Sequence, residues 1–263
     1  MPSINLSTLQ LINYTLHLAD NTLILAQRNA EWCGHGPILE QDIAITNISL
    51  DLLGQSRNFY QYAASLINQS THQSENIATE DSLAYLRTER EFKNFLLVEQ
   101  PNGDWGQTIL RQFFFSAYQQ LLYKKLKDSS DEQLAAIAIK SLKEVNYHVR
   151  WSREWVIRLG DGTEESRIRI VNAIQELWRY TGELFMTSDY EEKIFEQGIG
   201  VNSSSLKNEW LAIIAEVFKE ANLSLPENIF MQRGGREGIH TEHLGFILTE
   251  LQYMQRVYPG ATW

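Results

Sequence analysis

A single cysteine, Cys33, stands among the 263 residues, so no disulfide can form within the chain. Nothing in that usage favours an oxidising compartment. Basic side chains are also in deficit: 23 Lys and Arg face 33 Asp and Glu, a net charge of −10. A surface of that sign repels phosphate backbones and anionic lipids, which argues against nucleic acid and membranes as partners. No run of about 18 apolar residues is present to span a bilayer. The opening "MPSINLSTLQ" has neither a basic n-region nor a long apolar h-region, so the expected location is the cytoplasm. Proline and glycine are scarce, at 5 and 15, and they gather between long segments, the punctuation of an all-helical chain. No internal repeat, low-complexity tract or linker interrupts it.

What is abundant is helical periodicity in a chain that is 43% apolar, enough for a large core. Leu9, Ile12, Leu16, Ala19, Leu23 and Ala26 recur in steps of three and four, one face of a helix. Leu11, Leu18 and Leu25 form a second stripe, so this helix is covered on two sides. It stops near "CGHGP" (33–37). A second helix is predicted from about Ile38 to Ile67, with Ile38, Ile45, Leu52, Phe59, Ala63 and Leu66 inward. The polar stretch 68–81 reads as a loop and is followed by a shorter helix near 80–97. After "EQPNGDWG" (99–106), Asp104 is placed to cap a third long helix that runs to about Lys127. A fourth spans about Asp131 to Leu159, "GDGT" (160–163) ends it, and Thr163 caps the next. Further helices are predicted near 164–187, 205–221 and 238–257. Four helices of roughly 25–30 residues with one long crossover predict a ferritin-like bundle with a helical C-terminal extension. One domain, 1–263, is expected.

In such a bundle "KEVNYHVRWSREW" (143–155) raises the question of a metal, because Glu144 and His148 lie one turn apart. A carboxylate-bridged di-iron site takes Glu from two helices and Glu-x-x-His from the other two. The second helix has no histidine between His35 and His72, and Glu40, Asp42 and Asp51 are followed three residues on by Ile43, Ile45 and Gly54. The third helix carries no Asp or Glu from Trp105 to Tyr123; its centre holds Arg111 and Gln112, and a cation there opposes metal binding. In the fourth, the residue three after Glu144 is Tyr147. The expectation is therefore no metal and no cofactor in this chain. Buried polar groups must still be paired, which predicts a metal-free network drawn from His17 or Asp20, Asn47 or Asp51, Arg111 or Gln112, and Glu144 with His148.

Two other stretches attract attention. In "RGGREGIHTEHLG" (233–245), Arg233 and Arg236 flank glycines that could cradle a phosphate or a coenzyme A. His240 and His243 have a spacing compatible with a metal; the plainer reading is a flexible loop leading into a helix with Thr241 near its cap. Cys33 has His35 nearby, yet no orienting acid accompanies them, and a packed helix-end cysteine is the simpler account.

The stretches "EWCGHGPILEQDIAITNISLDLLGQSRN" (31–58), "LLVEQPNGDWGQTILRQFFF" (96–115), "KEVNYHVRWSREWVIRLGDGT" (143–163) and "GGREGIHTEHLGFILTELQYMQRVYPGATW" (234–263) resemble the C-subunit family of the bacterial phenylacetyl-CoA epoxidases, also called oxygenases. The likeness covers nearly the whole chain and is weakest at the N-terminal tip and in 68–80. The resemblance implies a ferritin-like subunit without a working metal site. It implies pairing with a homologous di-iron catalytic A-subunit inside a larger complex. That complex uses oxygen, with NADPH electrons delivered by a reductase carrying flavin and iron–sulfur groups, to epoxidise the ring of phenylacetyl-CoA. A helical face bearing Tyr60, Tyr62, Trp105 or Tyr118 is expected to dock the partner. Two other readings stay open: a stand-alone metalloenzyme built on Glu144 and His148, and a metal-free module that binds coenzyme A thioesters at Arg233 and Arg236.

Overall fold

The computed structural model describes residues 5–71 and 77–261, and among them every regular element is helical. Helix α1 (Leu6–Ala30) opens at Asn5, whose side chain accepts from the Ser7 amide, and turns back through 31–38 into α2 (Leu39–Thr71). The short α3 (Glu80–Tyr85) is started by a reciprocal Thr79–Ser82 capping box, and α4 (Leu96–Glu99) is a single turn. Asp104 caps α5 (Trp105–Leu126) through the Gln107 amide, as the local sequence predicts, and Asp131, expected as the first residue of the fourth helix, caps α6 (Glu132–Gly160) through the Leu134 amide. Thr163 caps α7 (Glu164–Leu177); α8 (Asp189–Glu196), α9 (Lys207–Glu220), α10 (Glu242–Leu251) and α11 (Tyr253–Val257) complete the chain.

Two helical hairpins, α1 with α2 and α5 with α6, meet through α2 and α6 to make the four-helix bundle of a ferritin-like fold. Helix α7 covers α5, α8 covers α1, and α9 packs on α5 and α6. Wrapped this way, α5 has almost no exposed face: Thr108 to Gln119 are all buried. That fits the absence of Asp and Glu from its sequence, because a carboxylate there would have needed its own partner. A single apolar core runs through the bundle and its outer helices.

Several boundaries differ from expectation. The segment predicted as a helix near 80–97 is helical only to Tyr85 and again at Leu96–Glu99, with one 3-10 turn at Glu89–Glu91 between. Side chains of α1 provide the reason: Asp20 accepts the Lys93 amide at 2.8 Å and Asn21 accepts the Phe95 amide at 2.8 Å. Those backbone groups are satisfied across the structure rather than along a helix. Helix α2 continues to Thr71, beyond its predicted end; the remainder of the expected loop lies partly outside the described residues. The helix predicted at 164–187 ends at Leu177 and gives way to two 3-10 turns, Trp178–Tyr180 and Gly182–Phe185. Helix α8 was not anticipated, although Ser188 and Glu191 form the capping box that its sequence advertises.

Candidate functional site

The bundle centre, where a ferritin-like protein would hold metal, is filled by side chains of α2, α5 and α6. Gln119 Nε2 donates to Gln55 Oε1 at 3.0 Å, and Tyr123 Oη donates to the same oxygen at 3.3 Å. Gln55 Nε2 in turn donates to Glu144 Oε2 at 2.9 Å. Burial pushes the Glu144 carboxyl above its ordinary range, with Asp51 adding repulsion. One turn along each helix, His148 Nε2 lies 3.0 Å from Asp51 Oδ2; the ring is fully buried while the carboxylate reaches solvent. Ser152 Oγ donates to the His148 main-chain oxygen at 2.6 Å.

This donor set does not suit a dinuclear metal centre. Two of its four central members are amides and one is a phenol, and an amide N–H points at the one carboxylate, where a cation would have to sit. Among the described residues no three His, Cys, Asp or Glu side chains converge as metal ligands would.

The other residues expected in a common network occupy separate clusters. Asp20 accepts from Tyr60 Oη at 2.5 Å and from Arg87 Nη1 at 3.1 Å, and Arg87 Nη2 pairs with its other oxygen. Arg111 lies in the second turn of α5 and reaches back toward the preceding loop, donating to the Gln100 carbonyl and to Asn102 Oδ1, both at 2.5 Å. It has no carboxylate partner, and burial, with Arg28 adding to it, brings its pKa down to about 9. Gln112 bridges Asn29 and Ser116 at 2.7 Å each. Burial takes His17 down to about 4, so its ring is neutral, with Nδ1 2.7 Å from the Lys93 carbonyl oxygen. Asn47 corrects the expectation outright: it faces solvent on α2. Its neighbours Ile45 and Ile48 take the inward positions, and a polar residue between them is turned away.

The glycine loop at 233–238 also departs from its predicted use. Arg233 is exposed, whereas Arg236 is buried against Glu191, Nε to Oε2 at 2.8 Å, with its guanidinium 4.5 Å from the Phe95 ring centroid. The amides of Gly234 and Gly235 donate to Glu183 Oε1 at 2.9 and 2.8 Å, and the Leu96 amide to Glu183 Oε2 at 2.8 Å. The loop thus captures a carboxylate of its own chain at the place the sequence offered as a possible phosphate cradle. Gly235 cannot be replaced there, since a Cβ would lie 2.0 Å from the Asn94 carbonyl oxygen. His240 pairs with Glu99 at 2.8 Å and not with His243. Cys33 is exposed, and the His35 ring faces its main-chain oxygen.

Of the aromatics expected on a docking face, Tyr60 and Tyr118 are core residues. Tyr62 is half-buried, its hydroxyl on Asp131. Trp105 packs edge-on against Trp32, Trp151 and Trp155, with centroids 5.1, 6.0 and 5.9 Å away. One exposed apolar stripe lies instead on α2, where Leu39, Ile43, Leu50 and Leu53 share one helical face. Arg87, Glu99, Glu183 and Glu191 were not foreseen, because their partners lie far along the chain and no local pattern marks a charge that will be buried.

Two comparisons bear on this arrangement. A family model described as "Phenylacetic acid catabolic protein" matches residues 2–263. The chain is 48% identical over 254 residues, 97% of its own length and 99% of the relative's, to a protein of Escherichia coli (strain K12) named as the C-subunit of 1,2-phenylacetyl-CoA epoxidase.

Proposed function

Because the chain belongs to the phenylacetic acid catabolic protein family, we propose that it is a non-catalytic structural subunit of a multicomponent di-iron monooxygenase acting on phenylacetyl-CoA. In this reading it pairs with a homologous chain that holds the iron, electrons reach that chain from NADPH through a flavin and iron–sulfur reductase, and the assembly works in the cytoplasm.

The observation that carries the proposal is the donor chemistry of the bundle centre. Gln55, Gln119 and Tyr123 hydrogen-bond among themselves and direct an amide N–H at Glu144, so a donor occupies the position beside the carboxylate that a cation would take. A second support is the apolar stripe Leu39, Ile43, Leu50 and Leu53, of the kind that marks a protein interface. The relative's name supplies the reaction. The alternatives draw less support: Glu144 and His148 have different neighbours, and Arg236 is already paired with Glu191.

The test is co-expression with a homologous catalytic chain, followed by size exclusion and metal analysis. Co-elution at micromolar concentration, with iron in the catalytic chain and none in stoichiometric amount in this one purified alone, is the expected result. Independent elution, or stoichiometric iron or manganese in the isolated chain, would overturn the proposal.

A further inference from the structure

The segment 233–241 joins the bundle to the C-terminal arm, α10 and α11, and its last anchor is His240. Nδ1 of that ring lies 2.8 Å from Glu99 Oε2, and Nε2 lies 3.0 Å from the Phe92 carbonyl oxygen. Ring and carboxylate are both shielded from solvent. Neither acceptor can donate. The carbonyl has no proton, and every other neighbour of Glu99 is a donor: Asn94 Nδ2 at 2.9 Å to one oxygen, the Thr241 amide and hydroxyl at 2.7 Å to the other. A neutral imidazole has one N–H and could satisfy one side only. Both contacts are hydrogen bonds together only when the ring is an imidazolium.

We propose that His240 is a doubly protonated latch that pins the C-terminal arm to the bundle and lets it go when the ring loses a proton. The contact is placed to do this. Thr241 is the residue that precedes α10, so Glu99 holds the first turn of the helix as well as the ring. What the latch keeps covered is apolar: Leu244, Ile247 and Leu248 are buried on α10. Loss of one N–H would leave a lone pair facing a buried oxygen, a repulsive and unsatisfied contact.

The surrounding charges favour the cation. Glu99 touches the ring, and Asp20 of α1 adds attraction, so that despite desolvation the pKa is raised above the ordinary 6.5. The nearby cations are committed elsewhere: Arg87 to Asp20, Arg236 to Glu191, and Arg28 to Glu31 and the Glu99 main-chain oxygen. Lys93 lies over the Tyr190 ring. With a raised folded value, the latch is fully engaged below the pKa of free histidine and is lost as pH rises through the folded value.

The experiment is an NMR titration of the His240 ring in the full-length chain, combined with hydrogen exchange across the same pH range. The expected midpoint lies above 6.5. After correction for intrinsic rates, protection of the Leu244, Ile247 and Leu248 amides should fall about tenfold per pH unit between free histidine's value and that midpoint, then level off. The Ile214 and Val217 amides of α9 serve as the unaffected reference. Glu99→Gln should lower the midpoint and shift the exchange transition with it. A midpoint at or below that of free histidine, or α10 and α9 changing in parallel, would sink the latch; both are read on the wild-type chain even if the variant does not fold.

Discussion

Asp20 is the most heavily engaged side chain of α1: it receives Tyr60, both terminal guanidinium nitrogens of Arg87 and the Lys93 amide, with no exposed surface. Removing Arg87 would leave this carboxylate buried without its cation. Arg87→Ala is therefore expected to cost about 3–5 kcal/mol, whereas Tyr60→Phe, which removes one hydrogen bond of several, should cost about 1–2 kcal/mol. Urea denaturation of the two variants checks the order; equal losses would contradict it. His17 provides a pH dependence of opposite sign to His240. Its folded pKa, about 4, is depressed by burial from 6.5. The unfolded chain then binds the extra proton first, so stability is present above the unfolded value and is lost as pH falls from it toward the folded one. The loss amounts to about 3 kcal/mol. His17→Gln should flatten that part of a stability profile measured between those two pH values, and an unchanged slope would count against burial as the cause.

At the scale of elements, the caps Asp104 and Thr163 were open to reading in advance. Asp104, Asp131 and Thr163 each sit one residue before a helix and accept an amide inside it. Asp131 also receives the Tyr62 hydroxyl, so Asp131→Ala should lower the midpoint of thermal unfolding by more than Thr163→Ala does. The cap itself is worth about 1 kcal/mol in either case. The irregular run between α3 and α5 was not legible, because its backbone is held by Asp20 and Asn21 across the structure and not by neighbours in sequence. Helix crossing points were equally hidden. Gly160 ends α6 where a Cβ would lie 2.5 Å from the Ala221 carbonyl oxygen, just past α9. Gly160→Ala must push the two helix ends apart, and a cost of about 1–3 kcal/mol is expected in chemical denaturation.

For the whole molecule, the apolar face of α2 is one surface that intramolecular packing leaves uncovered. Leu50 is 60% exposed and Ile43 is 50% exposed. Charging both, as Ile43→Glu with Leu50→Glu, should alter the stability of the isolated chain by no more than about 0.5 kcal/mol, as for ordinary surface sites. The same pair should abolish co-elution with the proposed catalytic partner. Retained co-elution would remove this face from the interface without touching the metal-free reading of the bundle centre.

The sequence by itself determined the all-helical class, the four long helices, the caps Asp104 and Thr163, and the shortage of metal ligands in α5. All of these follow from local periodicity and residue type. It also marked Glu144 and His148 as buried or partly buried polar groups. Tertiary structure alone decided that the expected network is several networks, that Arg236 answers to Glu191 and Glu183, and that His240 answers to Glu99. The reason is physical: an α-helix sets the direction of a side chain from its neighbours three and four residues away. Which charge will meet it across the core depends on how whole helices and loops pack, over separations such as the 141 residues between Glu99 and His240.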